Sequence, residues 1–510
     1  MTGNPSGEPR SYRLTRFVIL RLLGLVYFVA FLSLVHQGLP LIGSQGLLPA
    51  DAYLHGIEAR AGSRLAGFEE NPSLFWLDAS DRTLVASAWA GTALSLLLLL
   101  GYANAILMAA LWVLYMSFVH IGQEWYSFGW EIQLLETGFL AIFLCPLLDG
   151  RPFPRRGPPT AVIWLFRWLI FRIMLGAGLI KIRGDACWRD LTCLDYHYET
   201  QPIPNPLSRL LHFMPHWFQA AGVLFNHLCE LVAPWFAFWP RIARHAAGIL
   251  FVVFQGTLIL SGNLSFLNWL TIVPALACFD DSLLRRVLPR ALVARSERIE
   301  GSSDPSRLQR LAAAALVAVV AVLSYGPVRN LLSPHQAMNT SFDRLELVNT
   351  YGAFGSVGRE RPEIVFEGTD DAVIGASTAW RAYEFKCKPG DPGRRPCMIS
   401  PYHYRLDWLI WFAAMSTPER YPWSVHLVWK LLHNDAGALS LLASNPFPLA
   451  PPKAIRALLY RYRFAPFGDP SGAWWKRTLL GTWMPPLSID DPRLRHFLDA
   501  YGWLPEEKGK

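Results

Sequence analysis

Apolar residues in this chain run in long blocks separated by polar, arginine-bearing stretches, without the short periodicities of a half-buried surface. A block near ~20 residues can cross a hydrocarbon core of ~30 Å. About nine such blocks are read, at 14–35, 84–101, 104–119, 132–148, 161–182, 218–239, 246–260, 267–279 and 311–325, of which the last three are short. The pattern predicts an α-helical polytopic membrane bundle over 14–325, preceded by a polar tail at 1–13 and carrying outer loops at 37–83 and 183–217. After 325 it changes. Segments 342–348, 362–368, 380–387, 457–464 and 474–483 are rich in aromatic and β-branched residues and predict strands. Segments 404–415 and 424–433 predict helices, and 445–452 a proline-rich turn. The expected tail, 326–510, is a β-rich α+β domain outside the membrane.

Composition supports a membrane protein. Of 510 residues, 52% are hydrophobic and only 17% charged, with 21 Trp, 30 Phe and a mean hydropathy of +0.23. Soluble domains carry about 25% charged residues. The net charge of +8 comes largely from arginines beside apolar blocks, so it sets topology and does not mark a nucleic-acid surface. Arg10, Arg13 and Arg16 precede the first block; Arg151, Arg155 and Arg156 follow the fourth; Arg241 and Arg244 separate the sixth and seventh; Arg285, Arg286, Arg290, Arg295, Arg298, Arg307 and Arg310 separate the eighth and ninth. Nine spans with a cytoplasmic N-terminus put all four clusters in the cytoplasm. The two outer loops and the tail then face the periplasm of a bacterial inner membrane, or the endoplasmic reticulum lumen in a eukaryote. The first block lacks a small-residue cleavage site, so no cleavable signal is expected. The Arg/Ala/Pro-rich composition points to a bacterial chain.

There are seven cysteines. Cys145, Cys229 and Cys278 fall in apolar blocks and read as packing residues. Cys187 and Cys193 form one local pair. Cys387 and Cys397 form another, flanking the turn-rich KPGDPGRRP. Both pairs are expected as disulfides on the oxidising side of the membrane, with a reduced state the alternative. No CxxC spacing suggests a redox centre.

Charges at membrane depth mark function or buried pairs. Arg172 in the fifth block should meet Glu230 of the sixth or Glu136 of the fourth, either as a packing pair or in a substrate cavity. The outer-face group Lys181, Arg183, Asp185, Trp188, Asp195, His197 and Glu199, with His120 and Glu124 nearby, is either a network ordering the loop or a catalytic or ligand site. In that second case Lys181 is the base, with Arg183, Asp185 and His197 around it. A metal is a third reading, but the spacing matches no zinc pattern and HExxH is absent. GxSxG, Walker A and GxGxxG motifs are absent too, so hydrolase, ATPase and dinucleotide chemistry lack support. Trp380, Tyr383, Trp408, Trp411, Trp474 and Trp475 are candidates for a contact surface.

Three stretches carry a resemblance. They are GLIKIRGDACWRDLTCLDYHYETQPIPNP at 178–206, the region 349–415, and YRYRF with WWKRTLLGTWMPP between 460 and 486. Their wording resembles the lipase maturation factors, from the first block to Pro486. The resemblance implies a polytopic membrane protein, not itself a lipase. It would work without a cofactor to help exported clients such as secreted lipases fold and assemble. The membrane half is also distantly similar to the helical module of vitamin K-dependent γ-carboxylases. That second likeness implies an enzyme acting on a lipid or lipid-soluble cofactor, again with Lys181 as base.

Overall fold

The computed structural model describes residues 11–299 and 304–504. Arg10 with the rest of 1–10, and 505–510 of the expected tail domain, lie outside the described residues.

The N-terminal part is helical. Its longer helices are α1 (Arg13–Ile42), α2 (Asp81–Leu100), α3 (Ala105–Ile121), α4 (Gly129–Leu144), α5 (Thr160–Gly184), α6 (His216–His227), α7 (Arg241–Ser261), α8 (Leu267–Ala275) and α9 (Arg307–Leu323). Five stretches among the described residues are long and apolar enough to cross a membrane: α1, α2, α5, α7, and α9 with its continuation to Leu332. The expected count of nine is not confirmed. At ~1.5 Å rise per residue, the 16-residue α4 and 17-residue α3 reach only ~24–26 Å. The block at 218–239 is broken by a π-helical turn at Leu228–Val232. Pro234 lacks the N–H that a regular helix would use, and the wider turn takes up the misfit.

Small residues set the helix spacing, as they do where backbones approach closely in membranes. A side chain at Gly24 of α1 would meet the backbone of Leu99 at 2.8 Å. One at Gly91 of α2 would overlap the Phe31 ring. α1 begins against Asp281, whose carboxylate accepts the backbone N–H groups of Arg13, Leu14 and Thr15 and satisfies the helix's orphan donors.

The arginine clusters gather at that end. Arg13 donates to the carbonyls of Arg155 and Ile299, Arg16 to that of Arg156, and Arg244 binds Asp280 beside the Asp281 cap. At the opposite end of α1, Gln37 donates to the His403 carbonyl and accepts from the Arg405 amide. The C-terminal region therefore sits at the end away from the arginines.

That region is mixed rather than β-rich. Strands β1 (Arg361–Thr369), β2 (Arg381–Ala382), β5 (Ala454–Phe464) and β6 (Trp475–Ser488) form one antiparallel sheet in the order β2-β1-β5-β6. The short β3 (Glu384–Phe385) and β4 (Leu442–Ser444) form a second. Two helices, α10 (Arg405–Ala413) and α11 (Pro422–Leu432), stand where helices were expected. The expected strand at 342–348 is a run of turns instead, bracketed by a single bridge between Ser341 and Asn349. The Asp343 carboxylate accepts the amides of Leu345, Leu347 and Val348, and this local bonding replaces a ladder.

Candidate functional site

The two stretches that stood out in the sequence meet each other. The segment after Ser341 folds back along α5, and the glycines of α5 make room for it. A side chain at Gly176 would meet the Tyr351 carbonyl at 2.4 Å, and one at Gly184 would meet the Gly355 carbonyl at the same distance. Arg172, 2% exposed, pairs with Glu136 of α4. Its Nη1 also donates to the Asn349 carbonyl at 2.6 Å. Glu136 accepts the Asn349 amide at 3.0 Å and the Tyr351 hydroxyl at 2.7 Å. Of the two partners expected for Arg172, the structure selects Glu136. The pair locks the returning segment onto the bundle.

Glu230 has another partner. It lies in the π-helical turn and accepts from Lys181 Nζ at 2.6 and 2.8 Å. Asn226 Oδ1 is the third acceptor, at 2.9 Å, and Asn226 Nδ2 bonds back to Glu230. The Trp188 ring lies 5.0 Å from the same nitrogen. Lys181 is thus engaged on three sides, and no lone pair is directed at open space. Nothing in this geometry sets it up as a base.

The remaining outer-face residues do not join it in one site. Arg183 turns away to the Leu331 carbonyl and Gln336. Asp185 caps the amide of Cys187, accepts that of Val357 and pairs with Arg359. Burial alone would raise its carboxyl, but the Arg359 guanidinium and these amides hold it below the usual range. Asp195 bonds His216, and Glu199 accepts the Phe464 amide. His120 bonds the Pro72 carbonyl, and Glu124 accepts from the Trp423 indole. Most of the group orders the loops. His197 differs: its ring packs edge-on to Phe354, is 6% exposed, and has no hydrogen-bond partner among the described residues. Burial, with the nearby Lys181 charge, pushes its imidazole down to about 4.

Both cysteine pairs are disulfides, Cys187–Cys193 and Cys387–Cys397, with Cα separations of 4.8 and 5.6 Å. Cys145, Cys229 and Cys278 are free and buried. The Asp185 carboxylate lies within 4.8 Å of the Cys187 and Cys193 sulfurs. Those sulfurs are already bonded to each other, so they supply no thiolate to a metal. The Cys397 carbonyl accepts from Asn263, whose Oδ1 accepts the amides of Ile399 and Ser400.

The C-terminal region is clasped to the bundle by buried charge. Arg405 Nη1 donates to Glu131 at 2.7 Å and to the Trp125 carbonyl at 2.5 Å. Arg361 reaches the carbonyls of Glu199, Gln201 and Pro202 and pairs with Glu363. Between the two parts lies a cavity of about 1040 Å³, lined by α4 to α8, the returning segment and α10. Lys181, Glu230 and His197 border it. So do Gln133, Gln255, Asn268 and Thr271, which the sequence reading passed over. Their signal was available: uncharged polar residues inside apolar blocks deserve the same suspicion as charged ones. The aromatic candidates for a contact surface are mostly internal, with Tyr383, Trp408 and Trp475 buried and Trp380, Trp411 and Trp474 half-buried.

A helical region with several helices long and apolar enough to cross a membrane, followed by a C-terminal region with a small antiparallel sheet, defines a membrane protein. Residues 14–286 match the lipase maturation factor transmembrane domain, and 347–485 match the lipase maturation factor C-terminal domain. The chain is 53% identical to lipase maturation factor 1 of Bos taurus, over 97% of this chain and 92% of that one. Identity to human lipase maturation factor 1 is 50%, over 98% and 93%. Human lipase maturation factor 2 is 28% identical over 96% and 85%. No solved structure matches the chain. The chain belongs to the lipase maturation factor family.

Proposed function

We propose that this protein promotes the folding and assembly of exported lipases, and that it holds its client along the open edge of β6. The supporting observation is the edge itself. β6 is the last strand of its sheet and pairs only with β5. Among the described residues no strand pairs with its other side, which can therefore add one. Leu479 and Leu480 are 55% and 47% exposed there, on a strand of 14 residues. Pro485 and Pro486 close the C-terminal part, and the Pro392 carbonyl takes the amide of Trp475 at the start. The usable edge is thus 476–484. An exposed sheet edge is a hazard unless something pairs with it, and a half-folded client with an unpaired strand is such a partner.

The region from 326 onward is, in this reading, the client-handling part, and the bundle is its anchor. It lies in the periplasm or endoplasmic reticulum lumen. That placement rests on the arginine clusters at the far end of the bundle and the disulfides at the near end.

The test uses cells that lack the endogenous factor and secrete a reporter lipase. The chain should restore lipase specific activity, and Leu479→Lys with Leu480→Lys should abolish the gain while protein level and disulfides stay unchanged. Full rescue by that variant overturns the β6 assignment. Failure of the unaltered chain to rescue any secreted lipase overturns the function.

A further inference from the structure

We infer that the cavity between bundle and outer domain is a binding site for an uncharged membrane amphiphile, an acyl chain with a hydroxyl- or ester-bearing head of the acylglycerol class. The inference concerns a ligand and does not depend on the client-docking reading.

Size is the first argument. At about 1040 Å³ the cavity stands at the upper end of the ~300–1,000 Å³ typical of small-molecule sites. Its walls are mainly apolar, with Phe225, Phe254, Leu258, Phe354 and Trp408 among them. A hydrocarbon chain in this space would gain dispersion contacts with these walls.

The polar groups are the second argument. His197, Gln133 and Asn268 border the cavity and are 6%, 1% and 3% exposed. Gln133 spends its Nε2 on Thr271 Oγ1 at 3.1 Å, and Asn268 spends its Nδ2 on Gln255 Oε1 at 2.8 Å. The Gln133 and Asn268 side-chain oxygens and the His197 ring nitrogens take no partner among the described residues. These three groups face the cavity and offer hydrogen-bonding positions to an occupant.

Charge selects the class. The one buried ion pair at the cavity wall, Lys181 with Glu230, is internally neutralised and further tied by Asn226. Arg420 and Glu360 also border the cavity, both exposed, and the half-buried Glu124 accepts from the Trp423 indole. Among the described residues no fully buried cation or anion on the lining is left unpaired. What remains is a set of neutral donors and acceptors that suits hydroxyls and esters.

Access is the third argument. The wall formed by Phe218 and Phe225 of α6 and Phe254 and Leu258 of α7 is one helix layer thick. The outward residues of those helices are apolar and exposed, among them Trp217 (71%), Leu224 (55%) and Val253 (50%). The wall therefore faces the bilayer, where such an amphiphile is dissolved. The π-helical turn Leu228–Val232 follows α6 directly, and such turns are frequent at functional sites.

The experiment uses the full chain purified in mild detergent and a photoreactive, radiolabelled diacylglycerol, with labelled peptides mapped by mass spectrometry. Crosslinks are expected on cavity-facing residues of α6, α7 and 351–356. Unlabelled diacylglycerol should compete and phosphatidic acid should not. Two variants test the site: Ala353→Trp fills the space, and Gln133→Leu removes a polar partner. Gln133→Leu should lower labelling by about tenfold, the equivalent of one lost hydrogen bond to a buried group, and Ala353→Trp should lower it by excluding the ligand. Fold is checked by gel filtration and disulfide content. Labelling confined to the outward helix faces, equal labelling of well-folded variants, or preferential competition by phosphatidic acid each overturns the proposal. If a variant does not fold, the peptide map of the unaltered chain decides alone.

Discussion

Lys181 shows how a residue type can suggest one chemistry and its neighbours assign another. In the sequence it is a lysine at the end of an apolar helix, a position compatible with a base. In the structure a carboxylate from the π-helical turn after α6 and an amide from α6 occupy all its donors. Sequence spacing could not reveal this, because the π-helical turn sets which way Glu230 faces. Removing one partner of a buried pair leaves the other charge uncompensated, which costs about 3–5 kcal/mol. Lys181→Met should therefore lower the melting temperature sharply in detergent, and adding Glu230→Gln should recover much of the loss. A single variant as stable as the parent would show that the pair does not hold α5 to α6. His403 makes a second prediction at this scale. It sits edge-on to Phe128, Trp130 and Trp408. Burial there, with the Arg405 charge beside it, pushes its imidazole well below the ordinary range. The folded state keeps the ring neutral, while the unfolded chain gains a proton below about pH 6.5. A depressed pKa in a base means stability is full above that pH and declines as pH falls toward the folded value. His403→Phe keeps the ring cage without the proton, so the drop in melting temperature between about pH 7.5 and pH 5 should shrink. An equal drop would place the acid sensitivity elsewhere.

Among the elements, the sequence was most legible where a single period dominates. The apolar blocks became helices, and 362–368, 457–464 and 474–483 became β1, β5 and β6, because aromatic and β-branched residues there suit a half-buried sheet. The segment 342–348 misled for a local reason: Asp343 offers its backbone neighbours hydrogen bonds that a strand would otherwise have to find across a ladder. The number of crossings is not confirmed, because hydropathy reports burial in protein as readily as burial in lipid. Leu134, Leu135 and Leu140 of α4 are enclosed by other helices, not by lipid. The cysteine pairs were legible from their turn-rich spacing. What they brace was not. The Cys387–Cys397 bridge sets the loop whose Cys397, Ile399 and Ser400 backbone groups bond Asn263, at the mouth of α8. Closing a loop of 10 residues is worth about 2–3 kcal/mol through the unfolded chain. Cys397→Ser should lower stability by that amount, and it should also raise the protease sensitivity of 387–401. If 387–401 stays as resistant as in the parent, the bridge stabilises only the unfolded-state balance and does not brace the contact with the bundle.

At the scale of the molecule, the charges and the disulfides divide the protein into two ends. Arg13, Arg16, Arg155, Arg156 and Arg244 cluster at one. Both cystines, the sheets and the clasp formed by Arg405 and Arg361 occupy the other. Five crossings and nine crossings give the same sidedness, since each is odd and leaves the chain's two ends on opposite faces. The prediction is thus independent of the span count. Single cysteines introduced as Arg286→Cys and Ser471→Cys are both exposed. The native free thiols are buried and give little background. In sealed vesicles with the cytoplasmic face outward, an impermeant maleimide should modify position 286 at once, and position 471 only after the membrane is opened. Labelling of position 471 in intact vesicles would put the disulfides and the β6 edge in a reducing compartment. An exported client could not reach them there, and the positive-inside reading would fall with the proposed function.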